Sequence, residues 1–179
     1  MGVGASSGAV QVWDMRSQKV AVTLAEHAGA VRGLAFSENG YYMASGAKDE
    51  VVKVWDLRNG SCLQNLAMGS AVNAVCFDYS GTYLCGAGEA LKVWSTKTWE
   101  ETFEHAEAVK GYHAAVFGAK AEYLLAGCGN RAVVKLGLWR VCCDLCALNK
   151  FHAFLSTHFG TQFSILRWPT LISNRMFPF

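Results

Sequence analysis

The feature that most constrains the fold of this chain is an internal repeat of about forty residues. Three sets of aromatic residues recur at this period, and they are independent of one another. The tryptophans recur at intervals of 42 and 39 residues, and the phenylalanines and tyrosines each recur at 41 and 40. The three sets are Trp13, Trp55 and Trp94; Phe36, Phe77 and Phe117; and Tyr42, Tyr83 and Tyr123. Because they agree on one period, the sequence predicts a tandem array of similar structural units.

Each repeat is built from short segments that have the character of β-strands. In the second repeat these segments are 30–36, 41–46, 51–57 and 61–66, which alternate or run apolar, and Val and aromatic residues are frequent among them. Asn39-Gly40 and Asn59-Gly60 lie between them, and glycine supplies the positive φ that a tight hairpin turn needs. No part of 1–140 has sustained helical periodicity. We therefore expect an all-β fold with four antiparallel strands in each repeat.

Four strands per repeat and a Trp-Asp ending resemble the WD40 repeat family. The resemblance covers residues 1–137 and implies a partial β-propeller of about three to four blades. It also implies a buried hydrogen-bond set in the second repeat, formed by His27, Ser45, Asp49 and Trp55. The repeat-signature residues of the whole array are Trp13, Asp14, Trp55, Asp56, Trp94 and His105.

The other repeats depart from the complete pattern. The first has Ser7 six residues before its Trp, where the second has Asp49. The third has Gly88 at that place, and the fourth keeps His105 but has Gly137 where the Trp is expected. The sequence therefore predicts looser third and fourth blades.

Several segments resemble the last repeats of the pre-mRNA-processing factor 19 family. They are Leu34–Tyr42, Val52–Arg58, Phe77–Leu84, Lys97–Trp99 and Phe103–His105. Members of that family are nuclear scaffolds of the spliceosome that also act in DNA repair. A U-box makes them ubiquitin ligases, a coiled coil tetramerises them, and the propeller recruits partners.

The resemblance implies a protein–protein interaction module rather than an enzyme, because a U-box is not recognised in this chain. It also implies a nuclear location, and its expected partners are spliceosomal proteins and ubiquitination substrates. A generic WD40 adaptor unrelated to splicing is the alternative. No cofactor is expected.

Composition excludes two other classes of protein. The chain is 52% hydrophobic and 17% charged, which is incompatible with intrinsic disorder. Its net charge of +2 is too small to indicate direct nucleic-acid binding by electrostatics.

The longest uncharged run of the C-terminal part, Phe151–Leu166, is shorter than a membrane-spanning helix requires. With no signal peptide recognised, we expect an intracellular protein whose cysteines are reduced.

The repeats stop near Arg140, and the sequence changes character there. Only four charged residues and one glycine follow, together with both prolines and six of the ten phenylalanines. We therefore divide the chain into WD40 repeats at 1–137 and a divergent tail at 138–179. The tail holds four possible zinc ligands, Cys143, Cys146, His152 and His158, so a zinc or redox protein is a further alternative. Their spacing is not that of a classical zinc finger, and no metal site is expected.

An incomplete propeller would leave open edges at its two ends. Unpaired sheet edges promote association between chains. The sequence therefore predicts either low stability of the isolated chain or pairing with another chain through these edges.

Overall fold

The computed structural model describes residues 1–106 and 111–138, which form four antiparallel sheets. The sheets follow one another along the chain, and we call them blades 1 to 4. Blade 1 contains β1 (Gly2–Gly4), β2 (Val10–Asp14) and β3 (Lys19–Leu24). Blade 2 contains β4 (Val31–Phe36), β5 (Tyr42–Ala47), β6 (Val51–Asp56) and β7 (Ser61–Ala67). Blade 3 contains β8 (Ala74–Phe77), β9 (Tyr83–Ala87), β10 (Leu91–Ser95) and β11 (Glu101–His105). Blade 4 contains β12 (Tyr112–Phe117), β13 (Tyr123–Cys128) and β14 (Val133–Gly137), with a 3-10 turn at Ala119–Ala121.

In every blade the strands pair in sequence order. The prediction of an all-β partial propeller is therefore confirmed. The described residues up to 138 belong to a compact unit that spans Met1–Cys143. The second unit, Asp144–Phe179, lies outside the described residues.

Hairpin turns set the register of the strands within each blade. Gly40, between β4 and β5, has φ +71°, and its N–H donates to the Ser37 carbonyl over 2.9 Å. The Asn39 side chain accepts from the Tyr41 N–H over 2.9 Å, as is usual for Asn in a turn. The turn thereby places Phe36 opposite Met43 and begins the β4–β5 pairing.

Apolar residues alternate along the strands, so each blade has two faces. We call the face toward the following blade the front face and the opposite one the back face. Ala44, Val52 and Val54 on the front face of blade 2 share a core with Leu84 and Trp94 on the back face of blade 3. The same arrangement joins blade 1 to blade 2 and blade 3 to blade 4. Stacked blades, rather than a single central core, therefore account for the burial of the described residues.

The innermost strands approach one another closely at a glycine. A Cβ atom at Gly33 on β4 would lie 2.9 Å from the Val75 backbone nitrogen and 3.0 Å from the Cα of Ala74, both on β8. Since these neighbours are backbone atoms, a side chain would have to push the two strands apart. This glycine allows blades 2 and 3 to meet at their inner edges.

The start of β11, at Glu101, is set by the turn that precedes it. Trp99 has φ +58°, and its N–H donates to the Ser95 carbonyl over 2.8 Å. The residue therefore closes the turn between β10 and β11.

Candidate functional site

Four residues predicted from the second repeat lie in one chain of hydrogen bonds inside blade 2. The Trp55 indole N–H donates to Ser45 Oγ over 2.8 Å, and Ser45 Oγ lies 2.7 Å from His27 Nε2. The other ring nitrogen, His27 Nδ1, lies 2.7 Å from Asp49 Oδ2. Ser45 is fully buried, and Trp55 is only 1% exposed.

The direction of donation in this chain follows from the chemistry of its ends. An indole N–H can only donate, and an ionised carboxylate can only accept. In neutral His27 the Nδ1–H therefore donates to Asp49, and Nε2 accepts from the Ser45 hydroxyl. Every polar group is then satisfied away from water, as burial demands. The chain ties β6 and β5 to the segment that precedes β4.

Asp49 also holds the loop between β5 and β6. Its carboxylate accepts from the Ala28 N–H over 3.0 Å and from the Val51 N–H over 3.4 Å. Burial raises the pKa of Asp49, but the hydrogen bond from His27 and these backbone bonds outweigh it, so the pKa lies below its ordinary value. The exposed neighbours Lys48 and Glu50 are thereby presented from a braced loop, in which Glu50 has φ +65°.

The aspartates of the two Trp-Asp pairs close turns. Asp56 is buried and accepts from the side chain and the backbone N–H of Arg58, with 2.9 Å to Arg58 Nη2. The side-chain hydrogen bond from Arg58 is the main reason that the pKa of Asp56 is lowered. Asp14 accepts from the Arg16 N–H and the Ser17 hydroxyl, which lower its pKa in the same way. Both aspartates therefore stabilise the turn that follows their strand.

The remaining repeat-signature residues, Trp13, Trp94 and His105, differ from one another in their burial and contacts. Trp13 is partly exposed on blade 1, whereas Trp94 is 3% exposed in the core between blades 2 and 3. His105 Nδ1 lies 2.7 Å from the hydroxyl of Tyr112, which is itself buried. His105 thus links the end of β11 to the start of β12.

The third repeat replaces the missing aspartate with a serine from another loop. The Ser70 hydroxyl accepts from the Glu89 N–H over 3.1 Å. A Cβ at Gly88 would lie 2.8 Å from both the Ala71 carbonyl oxygen and Ser70 Oγ, so this position has no room for a side chain. Sequence reasoning missed Ser70, because the bond joins residues 19 positions apart that share no motif.

The fourth repeat is shifted by one position from the predicted alignment. Leu136 pairs with Leu124, as Trp55 pairs with Met43, so Leu136 rather than Gly137 occupies the Trp position. Six residues earlier stands Asn130, whose side-chain oxygen accepts from the Ala132 N–H over 3.0 Å. Asn130 therefore takes the turn-forming part of the role of Asp49.

The loops at the His27 end of the blades contact one another and form one surface. The Lys48 N–H donates to the Ala30 carbonyl, and the Tyr112 N–H donates to the Gly88 carbonyl. Arg32 Nη1 donates to Asn73 Oδ1 over 2.6 Å, and Asn73 Nδ2 donates to the Tyr112 carbonyl over 2.9 Å. The second pair of bonds links the beginnings of blades 2, 3 and 4. We call this surface the loop face, and its exposed side chains include Lys48, Glu50, Glu89, Asn130 and Arg131.

Within residues 1–106 and 111–138, no group of three or more His, Cys, Asp or Glu side chains is placed to hold a metal ion. The low-probability zinc ligands Cys143, Cys146, His152 and His158 lie outside the described residues. No helix in the described part of the chain is long and apolar enough to cross a membrane.

The described residues form consecutive antiparallel sheets, of four strands in blades 2 and 3 and three strands in blades 1 and 4, and blades 1 and 2 carry Trp-Asp endings; this is the architecture of a WD40-type β-propeller. The chain belongs to the β-propeller family described as "Nucleolar protein 10-like, N-terminal domain", whose model matches residues 1–96. The predicted class is thereby confirmed, and two curated relatives support the resemblance to pre-mRNA-processing factor 19.

Curated relatives extend the similarity beyond residue 96. The chain is 33% identical over 144 residues to Pre-mRNA-processing factor 19 homolog 2 of Arabidopsis thaliana, covering 77% of this chain and 27% of the relative. It is 31% identical over 140 residues to Pre-mRNA-processing factor 19 of Oryza sativa subsp. japonica, covering 73% and 26%. It is 42% identical over 81 residues to Small ribosomal subunit protein RACK1 of Glycine max, covering 45% and 25%.

The chain spans about a quarter of the length of these relatives. The region that it shares with the pre-mRNA-processing factor 19 relatives is their WD40 region, which is a non-catalytic scaffold. The prediction that this chain is a propeller scaffold and not an enzyme agrees with that match.

Proposed function

We propose that the loop face binds proteins and that its partners belong to the pre-mRNA-processing machinery in the nucleus. Protein binding by the loop face is supported by the hydrogen bonds that hold its loops in place. The hydrogen-bond chain from Trp55 to Asp49 holds the 48–50 loop, and the bonds of Asn73 join the beginnings of three blades. Rigid loops lose little conformational entropy on binding, which favours recognition.

The charges of the loop face favour a protein partner over a nucleic acid. Lys48 and Arg131 carry positive charge, while Glu50 and Glu89 carry negative charge. Binding to a phosphate backbone depends on many cations on one surface, and a mixed surface lacks that feature. Mixed charges give specificity between proteins, because they fix which groups can face each other.

The proposal that the partners are pre-mRNA-processing proteins rests on sequence similarity to curated relatives. The two pre-mRNA-processing relatives match about three-quarters of the chain, whereas the RACK1 relative matches less than half. A role in the recruiting region of a spliceosome-associated ubiquitin ligase, in splicing and DNA repair, follows from the first resemblance. The RACK1 match favours a second candidate, an adaptor that acts on the small ribosomal subunit and not in splicing.

Affinity capture with the full chain distinguishes these candidates. The tagged chain is incubated in parallel with nuclear extract and with a ribosome-rich cytoplasmic fraction, and the bound proteins are identified by mass spectrometry. We expect enrichment of splicing proteins from the nuclear extract. Enrichment of small-subunit ribosomal proteins alone would contradict the splicing proposal and support the second candidate.

Charge reversal tests whether the loop face is the binding surface. We expect Lys48→Glu with Arg131→Glu to reduce the captured proteins at least severalfold. Lys97→Glu is the matched control, because this exposed lysine lies in the turn between β10 and β11, at the other end of the blade. Equal capture by all three proteins would show that the loop face is not the site.

A further inference from the structure

Two cysteines stand directly opposite each other on neighbouring strands of blade 3. Cys76 on β8 is the register partner of Cys85 on β9. Residues that are opposite each other in an antiparallel pair project from the same face of the sheet, so their side chains meet. The thiol of Cys85 is in fact hydrogen-bonded with that of Cys76. Within residues 1–106 and 111–138, this is the one place where two cysteines face each other across a strand pair.

The backbone geometry of this pair admits a disulfide bond. The Asp78 N–H donates to the Tyr83 carbonyl over 3.0 Å, which makes those two residues a hydrogen-bonded pair. Because the two kinds of pair alternate along a ladder, Cys76 and Cys85 are again a hydrogen-bonded pair, with Cα atoms about 5.5 Å apart. Disulfides join residues whose Cα atoms are about 4.4–6.8 Å apart. The Cβ atoms of an opposite pair are about 4.5–5.5 Å apart, and an approach of about 1 Å brings them to the separation in a disulfide.

The two thiols differ in their access to solvent. Cys85 is 0% exposed in the core between blades 3 and 4, and its Sγ lies 3.7 Å from the Gly86 carbonyl oxygen. Cys76 is partly exposed and packs against the border of the same core. The hydrogen bond with Cys76 and burial raise the pKa of Cys85, and a thiol with a raised pKa is a poor nucleophile toward an oxidant in solution. An oxidant therefore meets Cys76 first.

We propose that Cys76 and Cys85 form a reversible oxidation site, in which a peroxide converts the two thiols into a disulfide. The Cys76 sulfur attacks one oxygen of hydrogen peroxide and the O–O bond breaks, which leaves Cys76 as a sulfenic acid and releases one water molecule. The Cys85 sulfur then attacks the Cys76 sulfur and the S–O bond breaks. The hydroxyl group leaves with the Cys85 proton as a second water molecule. Two thiols and one peroxide thus give one disulfide and two water molecules.

The position of Cys85 favours the second step over competing reactions. Its sulfur is held beside the sulfenic acid, and a reactant held in place reacts far faster than the same group in free solution. Disulfides in intracellular proteins are usually transient and sense oxidants, and a thiol reductant reverses them. This inference concerns the chemistry of blade 3 and holds or fails independently of the proposed partners.

Peptide mapping of the full chain after treatment with hydrogen peroxide tests the proposal. Chymotrypsin cleaves after aromatic residues and therefore separates the two cysteines, for example at Phe77 and Tyr79. We expect a linked pair of peptides that contains Cys76 and Cys85, has lost two hydrogen atoms, and comes apart in dithiothreitol. Cys62→Ser is the matched control. Since Cys62 lies opposite Trp55 and not opposite a cysteine, this variant should give the same linked pair.

Two single variants test the order of the reaction. Cys85→Ser removes the second thiol, so Cys76 should accumulate as a sulfenic acid that dimedone captures. Cys76→Ser removes the accessible thiol, so Cys85 should remain reduced. Circular dichroism checks the folding of each variant, and Cys85→Ala serves in place of Cys85→Ser if a hydroxyl group is not tolerated in the core.

Mapping in urea shows whether the pairing depends on the folded structure, because an unfolded chain should pair its cysteines without this preference. The proposal is wrong if Cys76 and Cys85 stay unlinked in the folded chain at peroxide doses that oxidise Cys62. It is also wrong if either of them pairs instead with Cys128, which packs against the same core.

Discussion

The hydrogen-bond chain of blade 2 predicts a large stability loss for the change of a single hydroxyl group. Ser45→Ala removes little volume, so it leaves almost no cavity. It does remove the acceptor of the Trp55 N–H and the donor to His27 Nε2, which lie 2.8 and 2.7 Å from the hydroxyl oxygen. Each buried polar group left unsatisfied costs about 1–3 kcal/mol, so with two such groups the expected loss in free energy of unfolding is about 2–6 kcal/mol.

Thermal and urea unfolding, followed by tryptophan fluorescence and circular dichroism, measure this loss. For a chain of this size the expected decrease in Tm is roughly 4–24 °C. Ser61→Ala, at an exposed position on β7 of the same blade, is the matched control and should change stability by less than about 0.5 kcal/mol. In a Trp55→Phe background the cost of Ser45→Ala should become smaller, because one of its two partners no longer needs an acceptor. If Ser45→Ala is as stable as Ser61→Ala, the hydrogen-bond chain does not stabilise the blade as described.

Three further outcomes follow from the geometry. The pKa of Asp49 is lower in the folded state than its ordinary value of 3.8. Its contribution to stability is therefore present above that pH and is lost as the pH falls through the folded-state pKa. In acid titrations of the free energy of unfolding, Asp49→Asn should show a smaller pH dependence than the unaltered chain, and an unchanged pH dependence would contradict this assignment. Gly33→Ala should destabilise the chain by about 1–3 kcal/mol in urea unfolding, because its methyl group meets the backbone of β8, whereas Ser61→Thr, which adds a methyl group at an exposed position, should not. Cys85 is fully buried, and its pKa is raised by its hydrogen bond with Cys76 and by burial. Peptide mapping after maleimide treatment should therefore show that Cys85 is labelled far more slowly than Cys62. Equal labelling rates would count against the packing of blade 3 on blade 4.

The strands and the blade 2 set could be predicted because both depend on local spacing. Asp49 stands six residues before Trp55, and this distance lets a single turn bring the carboxylate back toward the preceding loop. The alternation of apolar residues along 51–57 predicted β6 to within one residue of its observed end. The strand pattern repeats along the sequence, so each repeat supports the strand interpretation of the others.

The missed features depend on tertiary contacts or on loop length. The fourth repeat was misaligned by one residue, so Leu136 and Asn130 were overlooked at the positions of Trp55 and Asp49. The bond of Arg32 to Asn73 spans 41 residues and has no motif of its own.

Site-specific photo-crosslinking tests the central claim, that the braced loop face binds pre-mRNA-processing proteins, most directly. A photoreactive amino acid replaces Lys48 on the loop face or, as the control, Lys97 at the other end of the blades. Each full chain is irradiated in nuclear extract, and the crosslinked proteins are identified by mass spectrometry. We expect splicing proteins to be crosslinked at position 48 and not at position 97. Crosslinks that are the same at both positions, or that appear only at position 97, would contradict the claim.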